Sequence, residues 1–161
     1  MAYVAQDYEK ERADAEASSE KDNTYTLPDK EVITIPGRVR MDCPELLFKP
    51  SLNGMTCMGM QDLAHTSVQN SDIDVRKDLL KNIILSGGTT MYEGISERLK
   101  SELEKLSPAG SDIRIVATAD RKFAVWVGAS TFCSLSTFAS SWITQADYEE
   151  HGASIVSRKC N

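Results

Sequence analysis

A short apolar run that stops at two adjacent glycines, Asn82-Ile-Ile-Leu-Ser-Gly-Gly-Thr-Thr-Met-Tyr92, constrains this chain more than any other segment. Ile83, Ile84 and Leu85 form a compact apolar strand, and Gly87-Gly88 end it. From Gly94 the apolar positions Ile95, Leu99, Leu103 and Leu106 fall on one helical stripe, with Glu97, Lys100, Glu102 and Lys105 facing water. Ser107-Pro108-Ala109-Gly110 stops that helix. A strand that turns at Gly-Gly and restarts as a helix within a few residues leaves bare backbone near a helix N-terminus. That geometry favours close approach of a phosphate-bearing ligand.

Charge and cysteine usage narrow the classes. The 161 residues carry a net charge of -6. Arg38 and Arg40, then Arg121 and Lys122, are isolated basic pairs, so the chain lacks the basic stripe that a nucleic-acid binder needs. Cys43, Cys57, Cys133 and Cys160 form no Cys-x-x-Cys pair and lie far in sequence from His65 and His151, which argues against zinc. So few cysteines in a chain of this size read as reduced thiols in a cytosolic protein rather than a disulfide framework. The N-terminus lacks the basic n-region and apolar core of a signal peptide. Nowhere does the sequence hold the run of about 18 apolar residues that would span a membrane.

The other segments are ordinary α/β material. Residues 3–18 predict a helix, with Tyr3, Val4 and Tyr8 on one face and Ser18-Ser19 and Asp22-Asn23 ending it. Thr24–Leu27 and Val32–Ile35 flank Pro28-Asp29-Lys30 and predict a hairpin, although Lys30 suits a left-handed turn position less well than glycine. Pro36-Gly37 ends the second strand, Cys43–Phe48 predicts a short helix with proline at its first position, and Pro50 stops it. Residues 51–60 predict a loop with lightly packed methionines. Gln61–Val68 predicts a helix, and another starts at Ser71-Asp72 with Ile73, Val75 and Leu79 or Leu80 inward. Ile113, Ile115 and Ala117 alternate as a strand, and Phe123–Val127 is a second apolar segment. Thr144 caps a last acidic helix that Gly152 closes.

Taken in order, these strings resemble the actin family. They include Tyr-Val-Ala at 3–5, Leu-Pro-Asp at 27–29, Cys-Pro-Glu at 43–45, Arg-Lys-Asp-Leu at 76–79 and Leu-Ser-Gly-Gly-Thr-Thr-Met-Tyr at 85–92. Leu-Ser-Thr-Phe at 135–138, Ser-Ile-Val at 154–156 and Arg-Lys-Cys at 158–160 continue the match. The resemblance runs from end to end of the sequence but covers only the C-terminal portion of an actin. It implies an actin-like ATPase (ribonuclease H-like) α/β fold, C-terminal part only, with a mixed sheet and flanking helices. Residues 1–55 would be the remainder of the large lobe's small subdomain, 56–123 the large-lobe subdomain with the Gly-Gly turn, and 124–161 the C-terminal segment of the other lobe.

The same resemblance implies ATP or ADP with Mg as cofactors of the complete family. It places Gly87 and Gly88 beside the phosphates and sugar, Thr89, Met91 and Tyr92 around the adenine, and Lys122 near the base. The residue chemistry agrees: small residues for close approach, a thioether and an aromatic ring for a flat base, and a cation near a polyanion. Singly, each has a plainer reading. Gly-Gly is more often a simple turn, Met91 and Tyr92 can be core, and Lys122 can be surface; the joint pattern carries the nucleotide reading. The family's phosphate loops, metal-orienting aspartates and water-positioning residues would lie upstream of Met1. Phosphoryl transfer needs positioned phosphates, a metal and an oriented nucleophile, so this polypeptide alone is expected not to hydrolyse ATP.

Partner contacts are implied too: other actin subunits, and actin-binding proteins that dock a helix in the groove near Val127–Ser141. Leu52 and Met55 match the loop that actins extend between filament strands, and Val127, Thr131, Leu135 and Ser141 match the groove. Asp72 and Asp74 read as a helical, solvated or partner-facing edge. Asn53, Thr131, Ser141, Ala117-Thr118-Ala119 and Asn161 depart from the family's usual residues and suggest a divergent member. The primary expectation is a cytoskeletal, cytoplasmic subunit that binds nucleotide and its neighbours. The alternative is a stand-alone actin-derived binding or structural subunit without turnover. An enzyme of the same ancestry, such as a sugar kinase or chaperone ATPase, shares the fold but not these strings. A chain that starts in one lobe and ends in the other should also leave Phe132, Phe138 and Trp142 without a partner sheet.

Overall fold

The computed structural model describes residues 1–159, so Cys160 and Asn161 lie outside the described residues. Elements follow in the order α1 (Tyr8–Ala17), β1 (Asn23–Thr26), β2 (Val32–Ile35), α2 (Gly37–Glu45), α3 (Met60–Gln69), α4 (Arg76–Lys81), β3 (Ile83–Ile84), α5 (Ile95–Leu106), β4 (Ile115–Val116), α6 (Ala124–Ser134), α7 (Gln145–His151) and α8 (Ile155–Lys159). The α/β class and the flanking helices are those expected. The strands lie in two separate pairs, an antiparallel hairpin β1–β2 and a parallel pair β3–β4. The chain divides into two units, Met1–Lys122 and a second from Phe123 onward.

In the first unit the core collects on α5. Ile95, Leu99 and Leu103 are fully buried against Val4, Phe48, Val68, Leu80, Leu85 and Ile113. This is the stripe expected from their spacing, except that Leu106 is exposed at the last turn. The parallel pair aligns Ile83 with Ile115 and Ile84 with Val116, and Ile84 projects into solvent on the uncovered face.

A buried charged cluster locks this core to the extended segment before α1, residues 1–6, called the N-terminal strand for its single bridge at Tyr3. Glu45 and Arg98 are 1% and 4% exposed. Arg98 Nη2 and Nη1 donate to the two Glu45 oxygens at 3.0 and 3.1 Å, Nε donates to Glu102 at 2.7 Å, and Nη1 also donates to the Ala5 carbonyl at 2.6 Å. The guanidinium lies over the Phe48 ring at 5.0 Å. Burial pushes the Glu45 carboxyl upward and the arginine fork opposes the rise; with both oxygens bonded, the carboxylate is the form held.

Several expectations are corrected. The predicted helix over 3–18 begins only at Tyr8, where Asp7 caps it by accepting from the Lys10 amide at 3.2 Å. Tyr3 and Val4 are extended instead: Tyr3 bridges Glu93 in parallel and the Val4 amide donates to the Glu93 carbonyl at 2.8 Å. Pro44 does not start a helix over 43–48 but sits in the last turn of α2. A proline there has no N–H for the carbonyl four residues back. That carbonyl, on Arg40, accepts from the Tyr3 amide at 3.2 Å, so the proline frees the acceptor that docks the N-terminal strand. Pro50 opens a 3-10 turn, Pro50–Asn53, rather than simply stopping a helix. Lys30 does take the left-handed position of the hairpin, at φ 73°, the one described non-glycine residue to do so. Asp72 and Asp74 lie in a turn, not on a helix: the Asp74 amide donates to the Asp72 carboxylate at 3.1 Å, and α4 starts at Arg76. Ile73, 72% exposed, Val75 and Leu79 therefore face solvent, and Leu80 alone of the expected set is buried.

In the second unit, the apolar segment after Phe123 is the helix α6. Phe132 meets Phe138 edge-to-face at 5.0 Å, and Phe138 meets Trp142 at 6.0 Å. Phe132 and Trp142 remain 53% and 61% exposed, and Val125, Trp126 and Leu135 are exposed as well. Thr144 caps α7 through a reciprocal pair with Asp147, as expected, and Gly152 closes it. Lys159 ties α8 back to α7, donating to Asp147 at 2.8 Å and to the Trp142 carbonyl at 2.7 Å.

Two outcomes follow. Arg98→Ala leaves Glu45 charged and unpaired in the core and should destabilise the first unit by about 3–5 kcal/mol in urea unfolding, whereas Arg98→Met with Glu45→Leu should cost much less. Lys159, and then Thr144, hold the Asp147 carboxyl well below the ordinary aspartate range. A depressed carboxyl stabilises the folded form above its unfolded pKa and loses that contribution as pH falls. Helical circular dichroism of the second unit should therefore decline below about pH 4. In Asp147→Asn this acid-dependent step should be absent.

Candidate functional site

The Gly-Gly turn is held from behind by an arginine. After the buried Leu85 the backbone reaches Gly87 at φ 94° and ψ 162°, a conformation that L side chains rarely adopt. Residues Gly88–Met91 then form one 3-10 turn. The Thr90 amide and hydroxyl both donate to the Gly87 carbonyl, at 3.1 and 2.8 Å. The Gly87 amide donates to the Arg121 carbonyl at 2.9 Å. Arg121 returns the contact: Nε and Nη2 donate to the Thr90 carbonyl at 3.0 and 2.8 Å, and Nη1 to the Thr118 carbonyl at 2.9 Å. One guanidinium thus joins the glycine turn to the 117–121 segment that leads to Lys122.

The far side of the turn is open. A Cβ added at Gly87 or Gly88 would meet nothing within 4 Å. In front lies a solvent-open recess of about 530 Å³ lined by Met1, Ala2, Gly88, Thr89, Met91 and Tyr92. The N-terminal strand supplies its other edge because Gly94, at φ 82°, lets that strand pass. A Cβ there would sit 2.7 Å from the Val4 carbonyl, and Gln6 Nε2 donates to the Gly94 carbonyl at 2.9 Å. Four of the six residues expected around a nucleotide therefore share one recess. Gly87 stands one residue behind it, and Lys122 follows the residue that accepts the Gly87 amide hydrogen bond.

α5 begins at Ile95 with Gly94 as its cap, within a few residues of the glycines as expected, and the 3-10 turn Gly88–Met91 lies between them. Bare backbone near the recess is therefore that of the 3-10 turn. Arg121 was visible in the sequence only as half of a basic pair; its role depends on a contact across 31 residues. Met1 and Ala2 gave no signal at all.

The expected contact residues are dispersed. Leu52 and Met55 are exposed on the 50–58 segment. Asp72 and Asp74 occupy the turn before α4. Val127 and Thr131 lie one turn apart on α6, where the Thr131 hydroxyl donates to the Val127 carbonyl at 2.9 Å. Leu135 caps that helix, and Ser141 ends the 3-10 segment Ser136–Ser141. All four are exposed.

The first unit is thus a mixed α/β arrangement in which a glycine turn is fixed beside a solvent-open recess. A family model for actin matches residues 1–161, the whole sequence, and the chain belongs to the actin family. The family is a cytoskeletal one, with partners of the actin type. Among the described residues no single helix is long and apolar enough to cross a membrane.

If Arg121 holds the turn, Arg121→Ala should speed amide hydrogen exchange at Gly87 by about tenfold, as expected for loss of charged hydrogen bonds worth ~1.5 kcal/mol. Amides within β1–β2 should not change.

Proposed function

We propose that this chain supplies one wall of an adenine-nucleotide site and presents subunit contacts within an actin-type, cytoplasmic assembly. The observation that carries the reading is the recess that gathers Gly88, Thr89, Met91 and Tyr92 in front of the arginine-held turn. Its size falls within the ~300–1,000 Å³ usual for ligand pockets. The chemistry of the lining fits an adenine nucleotide: a thioether and an aromatic ring for the base, and glycine backbone for the phosphates and sugar. Lys122 would add positive charge. When bound, the nucleotide supplies a transferable phosphoryl group; the residues named here bind and orient it. Magnesium is a different matter. It would be held by the phosphates of the nucleotide and by water, since the described residues contain no group of three or more His, Cys, Asp or Glu that could hold a metal ion by themselves.

The wall is open to solvent, so binding by this polypeptide alone should be weak. Leu52 and Met55 would meet neighbouring subunits, with Asp72 and Asp74 as polar edges. Val127, Thr131, Leu135 and Ser141 would receive a partner helix. A second reading, a structural subunit without turnover, draws on the exposed Trp126, Phe132 and Trp142, which offer apolar area for assembly.

Photolabelling with 8-azido-ATP separates the two. Label should fall on the peptide spanning Gly88–Tyr92 and be displaced by excess ATP. Tyr92→Ala should cut it about fivefold, in line with ~1 kcal/mol for a base stacked on an aromatic ring. Labelling that ATP does not displace, or that spreads over the whole polypeptide, leaves only the structural-subunit reading.

A further inference from the structure

We infer that Asn53-Gly54 is a self-modification site, at which the Asn53 amide is converted to a carboxylate within the exposed loop. Asparagine followed by glycine is the pair in which the next backbone nitrogen is least crowded. Here a Cβ at Gly54 would meet nothing within 4 Å, so the space beside the attacking nitrogen is open. Asn53 is exposed, as is every residue from Ser51 to Met58, and its carboxamide makes no hydrogen bond among the described residues.

The chemistry needs only water. The Gly54 amide nitrogen attacks Asn53 Cγ, loses its proton to solvent and expels ammonia, so that a new N–Cγ bond forms as the Cγ–Nδ2 bond breaks. Water then opens the cyclic imide at either carbonyl, giving aspartate or its backbone-shifted isomer. The local structure sets the barrier. The Gly54 amide donates to the Ser51 carbonyl at 3.0 Å, and the Met55 amide reaches the Pro50 carbonyl at only 3.4 Å. One exposed 3-10 turn must open for the nitrogen to attack, and such turns open at little cost.

Other asparagines serve as internal controls. Asn82 precedes the β-branched Ile83, and Asn23 precedes Thr24 within a paired strand. Asn70 caps α3, and the amide that would attack it belongs to Ser71, which carries a side chain and donates to the Val68 carbonyl at 3.1 Å.

The new charge would not be isolated. Asn53 and Leu52 line a recess of about 420 Å³ together with Arg12, Arg38 and Asp42. A carboxylate at position 53 would add to the acceptors competing for Arg38, which already pairs with Glu16 at 3.4 Å and Asp42 at 3.2 Å. It would also place a charge between Leu52 and Met55. Burying that charge in an apolar subunit contact is costly; this consequence, unlike the modification itself, rests on the contact role proposed above.

The test is to incubate the full-length protein at neutral pH and 37 °C and follow each asparagine peptide by mass spectrometry. Conversion at Asn53, as a mixture of aspartate and isoaspartate, should outpace that at Asn70 by at least about tenfold, a barrier difference of ~1.4 kcal/mol. Asn53→Gln should abolish the isoaspartate signal and leave the far-ultraviolet spectrum unchanged. Equal rates at Asn53 and Asn70, or isoaspartate that persists in Asn53→Gln, would overturn the inference. Because the readout is a mass change on the polypeptide alone, it is independent of any nucleotide or subunit binding.

Discussion

The fork that Arg98 makes on Glu45 is the constraint on which the first unit depends. A guanidinium and a carboxylate that are both out of water are tolerable only while they satisfy each other. Arg98 does more than pair: it carries Glu102 on its own helix and reaches the Ala5 carbonyl, so α5, α2 and the N-terminal strand meet at one guanidinium. The apolar stripe of α5 supplies the bulk of the burial, but a stripe has no register. The arginine fixes which residues of the strand lie against the helix, because its Nη1 is bonded to one particular backbone carbonyl, that of Ala5.

That register extends to the candidate site. With Ala5 held by Arg98 and Val4 bonded to Glu93, residues Met1 and Ala2 arrive opposite Thr89 and Tyr92. Pro44 contributes from the other side by leaving the Arg40 carbonyl free for Tyr3. On the opposite edge Arg121 performs a similar task for the glycine turn. Two arginines, far apart in sequence, thus define the two margins of one recess. Neither is a candidate to touch a ligand on the basis of its contacts; both are committed to carbonyls and carboxylates of the protein itself.

The second unit obeys simpler rules. Thr144 and Asp147 form a capping box that is local in sequence, and Lys159 closes α8 onto it. Its aromatic rings pack edge-to-face with one another yet stay largely exposed. That exposure is the physical basis for expecting an assembly partner, because such an apolar surface is seldom left in contact with water.

Local signals were legible. The period of Ile95, Leu99 and Leu103, the hairpin at 24–35, the stop at Ser107–Gly110 and the Thr144 cap all depend on residues a few positions apart, and they stand where their spacing put them. So does the Gly87-Gly88 turn, because few other residues can take that backbone conformation. What the spacing could not carry was anything that competes over long range. Tyr3 and Val4 suited a helix face as well as a strand, and a pairing with Glu93 decided between them. Pro44 could open a helix or end one, and the demand of Tyr3 for a carbonyl is met by the second. Asp72 could not be placed on a helix or in a turn until its carboxylate found the Asp74 amide. The amino-acid order settled the family, the amphipathic helix and the glycine turn through short-range sterics and periodicity. The margins of the recess, the buried ion pair and the N-terminal strand were decided only by tertiary structure, since hydrogen-bond donors choose among acceptors that the sequence leaves dozens of residues apart.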